Sequence, residues 1–144
     1  MQEIDAQVKK SVLQGARLLC GGEILGDRGQ FYAGTVLADV TPEMTCYREE
    51  IFGPVASIIK SHSVEESIRI ANDSEFGLSA CVYGDDIDEC RRVAEKLDGG
   101  MIFINAPAGS KPHLPFGGVR NSGYGKENGP EGLRAFTNKK VIVY

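Results

Sequence analysis

The chain has 144 residues, of which 42% are hydrophobic and 25% charged, a balance that suits a globular α/β protein with one buried core. Its net charge of −4, with cations scattered along the chain, disfavours nucleic-acid binding, which needs a clustered basic face. No apolar run approaches the about 18 residues of a membrane span, and MQEIDAQVKK lacks the order of a secretory signal. We therefore expect a cytoplasmic protein without membrane partners.

The first half of the chain predicts one helix followed by strands. Apolar residues at helical spacing predict an amphipathic helix over residues 4–16, with Gly15 as a stop signal. The stretches ARLLCGG and TVLADV each predict a strand, because each is a short apolar run that borders a turn signal.

The second half alternates between strand and helix patterns. The predicted order is strand, helix, strand, helix, strand, over residues 53–60, 64–73, 78–84, 86–97 and 101–106. Ser63 with Glu66 forms a capping box that begins the first of these helices. This order predicts the α/β class, with a βαβαβ unit that has a parallel sheet covered by its helices. The terminal run FTNKKVIVY, residues 136–144, predicts a last strand that pairs with a neighbour.

The cysteines and histidines do not predict a metal site. They are Cys20, Cys46, His62, Cys81, Cys90 and His113. None of them forms a CxxC pair or another spacing that suits zinc, so we expect no metal. Without a secretory signal, a disulfide framework is also the weaker interpretation.

Catalytic motifs are sparse in this sequence. There is no P-loop and no GxSxG, and the glycines at 123, 125 and 129 miss the GxGxxG spacing by one residue. Glu49 and Glu50 are adjacent carboxylates, but neighbours in an extended segment point to opposite faces. At most one of the two is therefore expected to act in a shared site.

Four segments in register carry a specific resemblance. REEIFGPV, ANDSEFGLSA, GGMIFIN and PFGGVRNSGYGKE occur in the order and spacing of the C-terminal part of NAD(P)-dependent aldehyde dehydrogenases. The segments EMTCYREEIFGPVA and ANDSEFGLSA most resemble the succinate-semialdehyde dehydrogenases. The resemblance implies a partial aldehyde dehydrogenase fold, with residues 1–135 from the catalytic domain and residues 136–144 as an oligomerisation strand.

The resemblance also implies cofactor-binding residues. Glu50 matches the glutamate that holds the nicotinamide ribose hydroxyls, and Phe52 matches the phenylalanine that packs beside the nicotinamide ring. A carboxylate can accept two hydroxyl hydrogen bonds, and an aromatic wall positions a planar ring. From the residues alone, a core phenylalanine beside a solvated glutamate is an equal alternative. NAD and NADP remain equally possible.

Substrate-binding residues are implied in the glycine-rich region. Phe116 matches an aromatic residue of the aldehyde entrance, and Ser110 falls where succinate-semialdehyde enzymes place a serine that helps to bind the distal carboxylate. An ordinary loop serine is the alternative for Ser110. Asn105 matches a family asparagine, for which we expect a structural role.

No residue of this chain matches the family's catalytic nucleophile, because none of the four cysteines lies in that sequence context. We therefore expect the chain to be inactive alone and to work as a homo-oligomer or with a complementing N-terminal half. Oxidation of an aldehyde, with succinic semialdehyde as the expected substrate, is the first hypothesis. The alternative is a non-enzymatic assembly or interaction module that pairs through its C-terminal strand.

Overall fold

The computed structural model describes residues 1–26 and 29–144, which form two compact units, residues 1–62 and residues 63–144. The first unit contains α1 (Gln2–Leu13), β1 (Arg17–Cys20), β2 (Ile24–Leu25), β3 (Phe31–Tyr32), β4 (Thr35–Ala38), α2 (Thr45–Arg48) and β5 (Val55–Ser57). The predicted helix and strands of this region are confirmed. The short hairpin of β2 and β3 and the helix α2 are additions to the sequence prediction.

The core of the first unit lies between α1 and a sheet in the order β1-β4-β5. β1 and β4 pair antiparallel, and β4 and β5 pair parallel. Val8 on α1 and Leu37 on β4 are almost completely buried. Burial of one such aliphatic side chain contributes about 1.5–3 kcal/mol to the free energy of unfolding.

A buried hydroxyl joins α1 to α2. The Ser11 Oγ donates to the backbone oxygen of Gln7 over 2.7 Å and accepts from the backbone N–H of Cys46 over 3.0 Å. Ser11 is fully buried, so this hydroxyl replaces the water that the Cys46 N–H would otherwise need. This bond fixes the position of α2, and therefore of the start of the segment between α2 and β5, relative to α1.

The second unit contains α3 (Val64–Asn72), β6 (Phe76–Gly77), β7 (Ser79–Val82), α4 (Ile87–Ala94), β8 (Met101–Ile104), β9 (Val119–Arg120) and α5 (Gly129–Ala135). Its first two longer helices have side-chain caps. The Ser63 Oγ accepts from the Glu66 N–H, as the capping box predicts. At α4, one Asp86 oxygen accepts from the N–H groups of Glu89 and Asp88, and these bonds hold the pKa of Asp86 below its ordinary value.

All five predicted elements of the βαβαβ order are present, but the strands divide between two sheets. β7, α4 and β8 form a β-α-β unit whose strands pair in parallel, with four residue pairs in register. The remaining strand, β5, pairs with β4 in the first unit, where Ile58 N–H donates to Leu37 O over 2.7 Å. Composition predicts that a segment is extended, whereas its partner depends on long-range hydrogen bonds that composition does not encode.

The C-terminal segment forms no strand within this chain. Residues 138–144 have no regular secondary structure, and Val141, Ile142, Val143 and Tyr144 are all highly exposed. A lone extended segment needs a partner strand to satisfy its backbone groups. The pairing of residues 136–144 with a neighbour therefore stays a prediction.

The four cysteines are all free thiols. Cys46 and Cys90 are buried, whereas Cys20 and Cys81 are exposed. Within residues 1–26 and 29–144, no cluster of three histidine, cysteine or acidic side chains could hold a metal ion. Across the same ranges, no helix combines the length and apolar character needed to cross a membrane.

Candidate functional site

The segment that carries Glu50 and Phe52 is held against α1. Two successive tight turns shape it, with Gly53 N–H donating to Ile51 O and Val55 N–H donating to Gly53 O, each over 2.8 Å. A Cβ at Gly53 would lie 2.5 Å from the Cδ1 of Ile4. A larger residue at this position would therefore require the Ile4 side chain to move.

Adjacent carboxylates in this segment have different environments. The Glu49 Oε2 accepts from the Gln7 Nε2 over 3.1 Å, and its other oxygen lies 3.8 Å from the Lys10 ammonium. The same Gln7 amide donates to the backbone oxygen of Glu50 over 3.3 Å. The carboxylate of Glu50 makes no hydrogen bond or ion pair with the described residues. Of the two adjacent carboxylates, that of Glu50 is the unpaired one, and the action of at most one of them stays a prediction.

Glu50 and Phe52 line the same small cavity. Its volume is about 150 Å³, and its other lining residues are Met1, Glu3, Ile4 and Gln7. The Phe52 side chain is 87% exposed. An unpaired carboxylate beside an exposed aromatic ring fits a ribose with an attached planar ring, because the carboxylate can accept from both hydroxyls.

Phe116 lies in a turn that is fastened on both sides. Its N–H and C=O exchange two hydrogen bonds of 2.7 Å with the backbone of Glu127. The Lys126 ammonium donates to the oxygens of Gly117 and Gly118 over 2.7 and 2.9 Å. A Cβ at Gly100 would lie 1.9 Å from the Gly117 oxygen. The backbone around Phe116 is therefore packed against the start of β8 without room for a side chain.

The half-buried ring of Phe116 forms part of two cavities. One has a volume of about 780 Å³ and is lined also by Leu78 and Tyr124. The other has a volume of about 250 Å³ and is lined also by Phe103 and Lys111. Phe116 can therefore act as an apolar wall for a small ligand in either cavity.

Ser110 is held by the start of α5. The Asn128 Nδ2 donates to the Ser110 Oγ over 2.9 Å, and the Gly129 N–H donates to Pro112 O over 3.0 Å. The flanking residue Lys111 lines the 250 Å³ cavity that Phe116 also lines. The structure thus brings Ser110 close to the surroundings of Phe116 within the second unit, whereas Glu50 and Phe52 come together within the first.

Arg120 fastens the segment that follows Phe116. Its Nη1 donates to the backbone oxygens of Asn72 and Ser74, and its Nη2 donates to the Asp98 carboxylate over 2.6 Å. One side chain therefore ties β9 to the end of α3 and to the turn before β8. A planar guanidinium can reach all three acceptors because its five N–H groups point in fixed directions.

Asn105 has the structural role that the sequence predicts. Its Nδ2 donates to Gly84 O over 2.8 Å, and its Oδ1 accepts from the Gly84 N–H over 3.0 Å. These two bonds join the end of β8 to the end of β7. The loop that leads to Ser110 therefore begins from a fixed point.

Three functional side chains were missed at the sequence level. Gln7 holds the Glu50 segment from more than 40 residues away, and sequence pattern contains no signal for such a long-range bond. Lys126 donates to two backbone oxygens, which a lysine in a glycine-rich segment does not indicate by itself. For Asn128, the Asn-Gly dipeptide at 128–129 was an available signal, since such a dipeptide marks a turn with positive φ.

Comparison with known proteins assigns the fold and the family. The model of the aldehyde dehydrogenase family matches residues 1–142, and this chain belongs to that family. The chain is 47% identical over 140 residues to the succinate semialdehyde dehydrogenase [NAD(P)+] Sad of Escherichia coli K12, covering 97% of this chain and 30% of that protein. It is 43% identical over 141 residues to the succinate-semialdehyde dehydrogenase [NADP(+)] of Deinococcus radiodurans, with 98% and 30% covered.

Solved structures agree with this assignment. Succinic semialdehyde dehydrogenase from Streptococcus pyogenes, in complex with NADP+, superposes with a TM-score of 0.94 at 39% identity and covers 99% of this chain and 31% of its own. An aldehyde dehydrogenase from Mycobacterium tuberculosis, complexed with NAD+, gives a TM-score of 0.92 at 42% identity, with 96% and 29% covered. The fold is thus a partial aldehyde dehydrogenase fold, and the chain spans about three-tenths of the length of these relatives.

Proposed function

We propose that this chain supplies the nicotinamide-side cofactor contact and part of the aldehyde channel of an NAD(P)-dependent aldehyde dehydrogenase. The observation that carries this proposal is the unpaired Glu50 carboxylate beside the exposed Phe52 ring, which lie on one cavity.

In the reaction proposed, an aldehyde and water become a carboxylic acid, and the cofactor accepts the hydride when bound. Glu50 holds the ribose hydroxyls, and the Phe52 ring limits the tilt of the nicotinamide, so the pair fixes which face of the cofactor meets the substrate. In the part of the chain that the structure describes, no cysteine lines the cavities of Glu50 or Phe116. The proposal therefore assigns the nucleophile to a complementing segment and expects this chain to be inactive alone.

The substrate proposed is succinic semialdehyde. Two of the relatives reported above are named for this compound, and the Ser110 hydroxyl is bonded to Asn128, which lines one of the two cavities of Phe116. A hydroxyl is a suitable donor for the distal carboxylate of such an aldehyde, and Phe116 is a suitable wall for its aliphatic chain.

Cofactor reduction tests the proposal. The chain is purified alone and after co-expression with the N-terminal part of the Escherichia coli relative, and each preparation receives succinic semialdehyde with NAD or NADP. We expect activity only after co-expression. Turnover by the chain alone at about 1 per second or more, a rate typical of enzymes, would show that the nucleophile has been assigned wrongly.

Matched carboxylate variants then test the cofactor contact. Glu50→Gln removes the unpaired carboxylate, whereas Glu49→Gln changes a carboxylate that binds α1. We expect the KM for the cofactor to rise at least about tenfold in Glu50→Gln, because hydrogen bonds to a charged group contribute about 1.5–3 kcal/mol. We expect Glu49→Gln to change this KM much less. Equal effects of the two variants would contradict the assignment of Glu50.

A second candidate function is an interaction module that pairs through residues 136–144. The observation that favours it is the highly exposed apolar run from Val141 to Tyr144. A homo-oligomer would cover this run by strand pairing. Deletion of residues 136–144 should then abolish self-association in sedimentation velocity, and unchanged association would leave this candidate without support.

A further inference from the structure

The bond between Asn128 and Ser110 leaves the Ser110 hydroxyl proton unused. An amide nitrogen can only donate, so the Ser110 oxygen acts as the acceptor of the 2.9 Å bond. A hydroxyl has one proton, which in this arrangement remains available for another partner. Ser110 is exposed, so that proton can reach a ligand. The structure therefore presents Ser110 as a hydrogen-bond donor.

The backbone around Asn128 holds its side chain next to Ser110. Asn128 has φ 57° and ψ 176°, a conformation that residues other than glycine rarely adopt and that the surrounding contacts must hold in place. Its backbone oxygen accepts from the Gly132 N–H over 2.9 Å. A Cβ at Gly129 would lie 3.3 Å from the Pro115 nitrogen, so residues 128–129 lie tightly against the loop that carries Ser110.

The loop that carries Ser110 is positively charged, and the carboxylate nearest in sequence to Asn128 is that of Glu127. Residues 109–116 include Lys111 and contain no carboxylate. The Lys111 ammonium makes no ion pair with any described residue. A hydroxyl donor beside a free cation suits a carboxylate, since hydrogen bonds to an ionised acceptor are about twice as strong as neutral ones.

We propose that Asn128 is a positioning residue that holds Ser110 as a donor and thereby selects aldehydes whose far end is a carboxylate. This inference rests on the proposed function and deepens it by naming a residue that sets substrate class. It also predicts how the selection is lost. In Asn128→Asp, the new carboxylate accepts the Ser110 proton and repels an anionic substrate, while the side chain keeps nearly the same size and shape.

Ligand binding to the full chain is the first test, because it needs no activity. Succinate, the acid formed from succinic semialdehyde, is titrated into ¹⁵N-labelled chain, and succinamide serves as the neutral control. We expect succinate, and not succinamide, to shift the Asn128 side-chain amide and the backbone signals of residues 109–111. In Asn128→Asp and Ser110→Ala, the succinate affinity should fall about 10- to 100-fold. Unchanged affinity in Asn128→Asp, or shifts confined to other residues, would overturn the inference.

Kinetics of the co-expressed assembly are the second test. The readout is the ratio of kcat/KM for succinic semialdehyde to kcat/KM for butanal, a neutral aldehyde of the same length. We expect this ratio to fall at least about tenfold in Asn128→Asp, through KM for succinic semialdehyde. Gln30→Glu, which makes the same charge change at an exposed residue of the first unit, should leave the ratio unchanged.

The two tests separate failure of this inference from failure of the proposed function. Assemblies that reduce cofactor with an unchanged ratio in Asn128→Asp would refute the role of Asn128 and leave the dehydrogenase function standing. Assemblies that reduce no cofactor with any aldehyde would refute the proposed function. In that case, selective succinate binding that depends on Asn128 would still establish a carboxylate site on the chain.

Discussion

Replacement of Ser11 by alanine should destabilise the first unit through one buried hydrogen bond. The Ser11 hydroxyl has no exposed surface, and it accepts from the Cys46 N–H, which lies in a buried residue of α2. Alanine fits the same space, so no steric change accompanies the loss of the hydroxyl. The perturbation is therefore a single unsatisfied backbone donor.

The expected loss is about 1–2 kcal/mol in the free energy of unfolding. An unsatisfied buried donor costs about 1–3 kcal/mol. The higher helix propensity of alanine returns about 0.5 kcal/mol, because Ser11 lies within α1. With a slope of about 1–2 kcal/mol per molar urea, typical of small proteins, the midpoint of unfolding should fall by about 1 M.

Urea unfolding followed by circular dichroism measures this shift, and Ser67→Ala is the matched control. Ser67 makes the same type of bond to the backbone oxygen four residues earlier, over 3.1 Å to Ser63, but it is exposed on α3. We expect Ser67→Ala to leave the midpoint nearly unchanged. If both variants lower the midpoint equally, the bond to Cys46 is not the source of the effect and the reasoning is refuted.

Three other predictions concern the cofactor segment, the Phe116 turn and a helix cap. Gln7→Glu places a carboxylate against that of Glu49 and so displaces the cofactor segment. Steady-state kinetics of the co-expressed assembly should show a cofactor KM raised about 3- to 10-fold, with the aldehyde KM unchanged. A matching rise in both KM values would indicate a general loss of structure. Gly100→Ala should destabilise the chain by about 3 kcal/mol or more in urea unfolding, since its Cβ would lie 1.9 Å from the Gly117 oxygen, and a wild-type midpoint would contradict the close packing. Backbone N–H groups lower the pKa of Asp86 in the folded chain, so its stabilising effect is complete above the ordinary value of 3.8 and disappears as the pH falls through the lowered pKa. Between pH 6 and pH 3, the urea midpoint of Asp86→Asn should therefore fall less than that of the wild type, and parallel curves would rule out this contribution.

Local patterns were sufficient to predict most elements of the fold. The helical spacing of Ile4 and Val8, and the capping box of Ser63 with Glu66, depend only on residues within one or two turns. The partner of β5 could not be predicted in this way, because the strand pattern of residues 55–57 is compatible with any open sheet edge. Short elements such as α2 and β9 also have too few residues to show a period.

The candidate site was predictable only where a motif carried it. Glu50 and Phe52 were identified by resemblance, and the structure adds that one carboxylate of the adjacent pair is taken by α1. The supporting bonds from Gln7 and Asn128 join residues 42 and 18 positions apart. Such bonds follow from the folded backbone, so a single sequence without its structure does not reveal them.

The distribution of thiols gives each compact unit its own internal reporter. Cys46 is protected in the first unit and Cys90 in the second, while Cys20 and Cys81 provide an exposed reference in the same two units. A buried thiol reacts with an alkylating reagent only when the surrounding structure opens, whereas an exposed thiol reacts at once. Mass spectrometry after brief alkylation of the unmodified sequence would therefore record the opening rate of each half of the chain in a single sample, without any engineered probe.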